Sequence, residues 1–277
     1  MARGNRKVYG FIIAKVRRSS SIVLWFTNAH KITAMNTDTC SQTISVPSWV
    51  IAGTYAENLR FLEDKKEIEG VELLFFIYDN EVKAELDAQL KEIRRYRQRF
   101  VFTAHLPELL LPAHGELIAC LAPLVRHFIV HSSFENPLAQ ARLLAEWEKH
   151  YNVSFLIENT KTGCLEALLS HLKNDAAICL DAGHLLLEGQ SPAKFFARYQ
   201  ERIKEIHLHG INKEKVTLDG RLTDHRRLLG NEPWLLELLP LLIDYKGIIN
   251  VEVFSWEEAS ASIGVLTKGL VKKRSRQ

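Results

Sequence analysis

Eleven histidines stand in this chain, and His105, His131, His184, His207 and His209 all fall within or just beyond the second half of a short apolar run. Glu158, Asp181 and Glu252 hold similar places in the strings FLIENT, CLDAGH and NVEVF. A carboxylate among apolar neighbours costs several kcal/mol unless something compensates it. A divalent cation does so, because carboxylates and neutral imidazoles are ligands for Zn²⁺ and Mn²⁺. Each residue alone has a plainer reading. A strand-end histidine is commonly a hydrogen-bonded core group, Glu158 or Glu252 could form a structural ion pair, and Asp181 with His184 could be a helix cap beside a surface imidazole. Recurrence at matching depth on several different runs points instead to a shared metal centre. His30, His114, His127, His150 and His171 lie in helical or loop patterns and read as solvated.

The elements that must position these residues are legible from periodicity. The apolar runs TISVPSWVIA, GVELLFFIYD, RFVFTAHLP, RHFIVHSS, SFLIENT, AAICLDAGHL, IKEIHLHGI and GIINVEVFS have strand length and are rich in Ile, Val, Leu and Phe, as strands buried on both faces are. Amphipathic stretches such as TYAENLRFLEDKKE, KAELDAQLKEIRRYRQ and PLAQARLLAEWEKHY lie between them. Ser191 followed by Pro192 reads as a cap and first turn ahead of KFFARYQERI. Eight strands with a helix after nearly every one make an α/β fold, a (β/α)8 TIM barrel in a single domain, whose strand ends converge on one mouth. An open doubly wound sheet is the runner-up, but no GxGxxG or Walker loop follows any strand. Residues two apart on a strand share a face, so His207 and His209 point the same way. The segment KEKVTLDGRLTDHRRLLGNEPW is longer than usual for such a loop. Its Asp224-His225 pair either folds over the mouth or belongs to a charged surface loop.

Composition narrows the class. The chain has 277 residues, 47% hydrophobic and 25% charged, an ordinary globular profile. The net charge of +3 conceals an asymmetry: residues 1–34 carry seven bases and no acid, leaving 29 bases against 33 acids in the remainder. That acidic body argues against a broad nucleic-acid face. No run approaches the roughly 18 apolar residues of a membrane helix, and the run Ser21 to Phe26 is too short for a signal peptide. Four cysteines without a CxxC pair suit a reducing compartment, so a cytoplasmic protein without structural disulfides is expected. Cys179 reads as core filling. Residues 1–40 stand apart as a basic N-terminal extension, with Met35 an alternative start, and the barrel is expected over 41–277.

In chain order the strand-end residues resemble the xylose isomerase-like barrel superfamily, also called the apurinic endonuclease family 2 fold, over roughly Thr43 to Ser262. The resemblance implies a metal set of His105, His131, Glu158, Asp181, His184, His207 and Glu252. The endonuclease branch carries an Asp-x-His after its seventh strand, whereas Asp224 and His225 are adjacent here. The strings AENLRFL, VELLFF, TAHLP, IENT, CLDAGHLLLEG, HLHGI, the Asp224-His225 pair and VEVFS look like the cobamide-remodelling phosphodiesterases. That likeness implies a hydrolase removing the nucleotide loop of a corrinoid with two bridging Zn or Mn ions. Glu158 would be the bridge and His209, Asp224 and His225 would orient substrate or add ligands. Against it, AHLPELL lacks the Asp expected after His-Leu-Pro, Glu108 standing nearby. The partner expected is a small molecule, a cobamide or another phosphodiester. The competing enzyme reading is a sugar or hydroxyacid isomerase or epimerase in which Glu158 and Glu252 move a proton. An abasic-site endonuclease and a binding barrel without turnover stand lower.

Overall fold

In a computed structural model, which describes residues 42–216 and 222–274, the eight-stranded parallel barrel closes as anticipated. The basic lead and the Met35 start lie outside the described residues, as does the end of the lysine-arginine tail. The barrel strands are β1 (Thr43–Pro47), β2 (Gly70–Leu74), β3 (Val101–His105), β4 (Val125–His131), β5 (Phe155–Glu158), β6 (Ile178–Asp181), β7 (Ile203–His207) and, after a hairpin, β10 (Ile248–Asn250). Each pairs with its sequence neighbour, and β10 closes the ring onto β1 through Thr43↔Ile248 and Ser45↔Asn250. Between β7 and β10 the long loop folds into an antiparallel hairpin, β8 (Gly210–Val216) with β9 (Leu222–Arg226), instead of passing directly to a helix.

The helices start where local chemistry says they should. Thr54 and Glu57 form a reciprocal capping box on α1 (Tyr55–Leu62), and Asp79 caps α2 (Asn80–Ile93). Asn136 followed by Pro137 opens α4 (Pro137–Tyr151), which ends on Asn152 in the left-handed region. Ser191 caps α7 (Pro192–Tyr199), as the Ser-Pro pair anticipates. Among the described residues, no helix is long and apolar enough to cross a membrane.

The core has two parts. Outward-facing strand residues such as Val71, Phe102, Val130, Ile157 and Leu180 pack against helices in one continuous apolar cluster. Among the described residues, Ile129, Leu156 and Cys179, with Ala177 packed against them, form a separate small apolar floor inside the ring. Most of what lines the interior above and beside that floor is polar, with Ser45, Glu72, Thr103, His105, Glu158, Asp181, Glu205, His207 and Asn250 all at most 1% exposed. A filled TIM-barrel interior usually stacks branched aliphatics. Here apolar packing lies mainly outside the ring and polar chemistry inside it.

One splice holds two strand ends in place. Asn159, just past β5, accepts from the Asp181 amide at 2.9 Å and donates to the Asp181 carbonyl at 2.9 Å. Both backbone groups are buried, and each loses its partner in Asn159→Ala. That variant is expected to lose about 1–3 kcal/mol in urea unfolding, because unsatisfied buried groups carry that penalty. An unfolding midpoint equal to the wild type would show that β5 and β6 do not depend on this link.

Candidate metal centre

Pairing register brings the strand-end donors to one level. His131 faces Glu158 across β4 and β5, and Asp181 faces His207 across β6 and β7. Glu158 lies at the centre of the first group: its Oε2 is 3.0 Å from His105 Nε2, and its Oε1 is 3.3 Å from His184 Nδ1 and 3.6 Å from His131 Nε2. His207 centres the second, its Nδ1 lying 3.1 Å from Glu252 Oε2, 3.8 Å from Glu158 Oε2 and 3.9 Å from Asp181 Oδ2. The seven residues of the anticipated metal set are thereby brought together.

Hydrogen bonds fix which nitrogen of each ring carries a proton. His105 Nδ1 donates to the Leu106 carbonyl at 2.9 Å, so its Nε2 lone pair faces Glu158. His184 Nδ1 donates to the Asn159 carbonyl at 3.0 Å. His207 Nε2 donates to Glu72 Oε2 at 3.0 Å, which leaves buried Nδ1 without a hydrogen bond amid three carboxylates. A lone pair held against anions at such distances demands positive charge, supplied by protons on the rings or by a metal cation. The donors fit a metal: the carboxylates of Glu252, Glu158 and Asp181 converge on His207 Nδ1, and donor atoms of His105, His131 and Glu158 lie within 4.8 Å of one another, as do those of Glu158, Asp181 and His184.

The charge states agree. Burial pushes the Glu158 and Glu252 carboxyls upward, but the surrounding imidazoles outweigh it and hold both well below the usual range, His131, His207 and His105 for Glu158, His207 and His225 for Glu252. Burial likewise opposes charge on His184 and His207 and is overcome by neighbouring acids, so both rise well above an ordinary histidine. Burial drives the Cys179 thiol well up, which leaves it an inert core group as its sequence position suggested.

His209 shares His207's face yet does different work. The His225 amide donates to His209 Nδ1 at 3.0 Å, so Nε2 carries the proton and donates to Asp181 Oδ2 at 3.2 Å. Its lone pair is used, and the ring braces Asp181. The Asp224-His225 pair does fold over the mouth. His225, in the left-handed region at φ 52°, stacks on His209 with ring centroids 4.3 Å apart and on Phe254 at 4.8 Å. Its Nδ1 is 3.0 Å from Asp224 and its Nε2 3.6 Å from Glu252. Burial opposes its charge, but Glu252 and Asp224 push it up to about 10. Beside His131 a groove of about 1160 Å³ opens between the loops after β4 and β5, lined by Ser132, Phe134, Leu138, Thr160 and Lys161 among others.

Two buried acids escaped the sequence reading. Glu72 on β2 and Glu205 on β7 are both fully buried inside the ring beneath the mouth. Glu205 Oε1 accepts from Thr103 Oγ1 at 3.2 Å, and burial together with Glu72 raises its carboxyl well above the usual range. Glu72 is the third residue of GVELLFF, in the first half of its run, so a rule built on strand ends passes over it. Glu205 lies two residues before His207, on the same strand face.

Fold and donor set together define a closed barrel with a histidine-carboxylate cluster at its mouth, and known proteins share the fold. A D-tagatose 3-epimerase-like protein superposes with a TM-score of 0.63 at 18% identity, covering 85% of this chain and 99% of that one. A probable 3-DHS dehydratase, AsbF, involved in petrobactin synthesis in Bacillus anthracis, gives 0.62 at 14% identity over 82% and 98%. The IOLI protein with a bound zinc atom gives 0.60 at 15% over 85% and 99%. At such identities the likeness is one of fold, the closed eight-stranded parallel barrel. No family model matches the chain. In sequence, 53 residues are 38% identical to an inosose dehydratase of Lacticaseibacillus casei, a stretch spanning 19% of this chain and 17% of that relative.

These findings overturn the expectation of a cobamide-cleaving hydrolase, because the proteins matched are named as an epimerase-like protein and dehydratases. The physical reason is visible in the structure. TAHLP, IENT, CLDAGH, HLHGI and VEVFS are the strand ends and donors themselves, which report a metal-binding barrel and carry no information about the bond to be broken.

Proposed function

We propose that this protein is a metal-dependent enzyme acting on a small polyol ketone, a sugar or cyclitol, as an epimerase, isomerase or dehydratase. The three activities share one demanding step, removal of a proton from the carbon beside a carbonyl. The observation that carries the reading is the convergence of Glu158, from β5, and Glu252, just past β10, on His207 Nδ1 at 3.8 and 3.1 Å. Glu158, Asp181, His207 and Glu252 would hold the cation, with His105, His131 and His184 as further donors about Glu158. A divalent ion such as Zn²⁺ or Mn²⁺ bound there polarises a coordinated carbonyl or hydroxyl.

The chain supplies the proton movements. Both glutamates are ionised in the neutral range, so either can accept a carbon-bound proton, and the opposite glutamate can return one from the far side of the substrate once it has taken a proton up from solvent or a substrate hydroxyl. Return to the opposite face inverts the centre, return to the adjacent carbon moves the carbonyl, and loss of a hydroxyl beside the carbanion releases water. His209 keeps Asp181 in place, while His225 and Phe254 cover one side of the mouth. The groove beside His131 offers a way in for substrate. Unpaired Cys120, Cys164 and Cys179 accord with a reducing, cytoplasmic location.

The test is solvent-hydrogen exchange. Protein loaded with Zn²⁺ or Mn²⁺ is incubated in D₂O with D-tagatose, D-fructose and an inosose, and carbon-bound deuterium is followed by NMR. Deuterium beside the carbonyl, with an epimer, isomer or dehydrated product, is expected for at least one substrate. Metal-loaded protein that exchanges no hydrogen in any of them overturns the proposal.

A further inference from the structure

We propose that Glu72 is a positioning residue for the metal centre, locking His207 with Nε2 protonated and Nδ1 turned toward the cation. The inference rests on the metal reading above and adds the interior layer beneath it. Glu72 sits on β2 in register with Thr103 on β3, and its Oε2 is 3.0 Å from His207 Nε2. Thr103 Oγ1 in turn donates to Glu205 Oε1 at 3.2 Å, and the Glu205 carboxyl abuts Glu72. Every member is at most 1% exposed, so water cannot replace any link in the chain.

An imidazole has two nitrogens and flips readily unless one is held. A carboxylate only accepts, so Glu72 compels Nε2 to carry hydrogen and leaves Nδ1 as the donor atom. His207 Nδ1 is the buried nitrogen without a hydrogen bond that faces Glu252, Glu158 and Asp181. A carboxylate behind a metal-binding histidine also raises its basicity, and loss of such a partner typically costs about 10–100-fold in metal affinity. An ordinary core ion pair between Glu72 and His207 would contribute to stability without governing metal uptake.

Two readouts separate these cases. Zinc affinity is measured by competition with a chromophoric chelator in wild type, Glu72→Gln and Glu72→Met, with urea unfolding to confirm that each variant is folded. Glu72→Met is expected to bind zinc about 10–100-fold more weakly, and Glu72→Gln to fall between, since its amide oxygen still accepts from Nε2. Independently of any substitution, the side-chain ¹H–¹⁵N spectrum of zinc-loaded wild type should show His207 protonated at Nε2 and metal-bound at Nδ1. Zinc on Nε2, or unchanged affinity in folded Glu72→Met, overturns the assignment to Glu72 alone. Wild-type protein that takes up no metal overturns the metal centre as well.

Discussion

Glu158→Gln and Glu252→Gln are each expected to lower substrate deuterium exchange by about 10²–10⁴-fold, the contribution of a positioned acid-base group. Glutamine keeps the shape of glutamate but cannot take up the proton. The two variants should differ in metal binding. Glu158 meets His105, His131 and His184 within 3.6 Å, so its loss reaches every neighbouring donor. Glu252 meets His207 at 3.1 Å and His225 at 3.6 Å on the other side. Zinc titrations run beside the exchange assay separate loss of the ion from loss of the base. Exchange within a few-fold of wild type in both metal-loaded variants would remove the glutamate pair from the mechanism.

Gly183→Ala is expected to destabilise the protein by about 1–3 kcal/mol, the usual range for forcing volume into a packed site. Gly183 lies in α6 (Ala182–Leu187), where helix propensity alone favours alanine by roughly 1 kcal/mol. The added Cβ would instead fall within the His209 ring, 2.6 Å from Nδ1 and 2.7 Å from Nε2. That ring cannot move away cheaply. It is stacked on His225, receives the His225 amide and donates to Asp181. Steric cost therefore reverses the sign set by propensity, and zinc affinity should fall with stability as Asp181 loses its brace. Urea unfolding decides the matter: a more stable Gly183→Ala with full zinc affinity would mean that His209 is not packed as tightly as described.

The sequence by itself determined the barrel and most of its donors. Strand length, apolar runs, capping pairs such as Ser191-Pro192 and the place of an acid or histidine within a run are local properties, and local properties are written residue by residue. His105, His131, Glu158, Asp181, His184, His207 and Glu252 were legible because strand ends in a closed barrel share one mouth. The same rule passes over Glu72, which stands in the first half of its run and so beneath the mouth. Tertiary structure alone decided who faces whom. His207 and His209 share a strand face, yet one presents a bare nitrogen to three carboxylates while the other spends its lone pair on the His225 amide. Asp224-His225 left a mouth cover and a charged surface loop both open until the β8–β9 hairpin placed His225 between His209 and Phe254. Thr103, Glu205, Glu72 and His207 come from β2, β3 and β7, up to 135 residues apart for the Glu72–His207 contact, and meet only when the ring closes. The physical reason is that periodicity fixes the face on which a side chain stands, whereas closure of the ring fixes its partner across the interior.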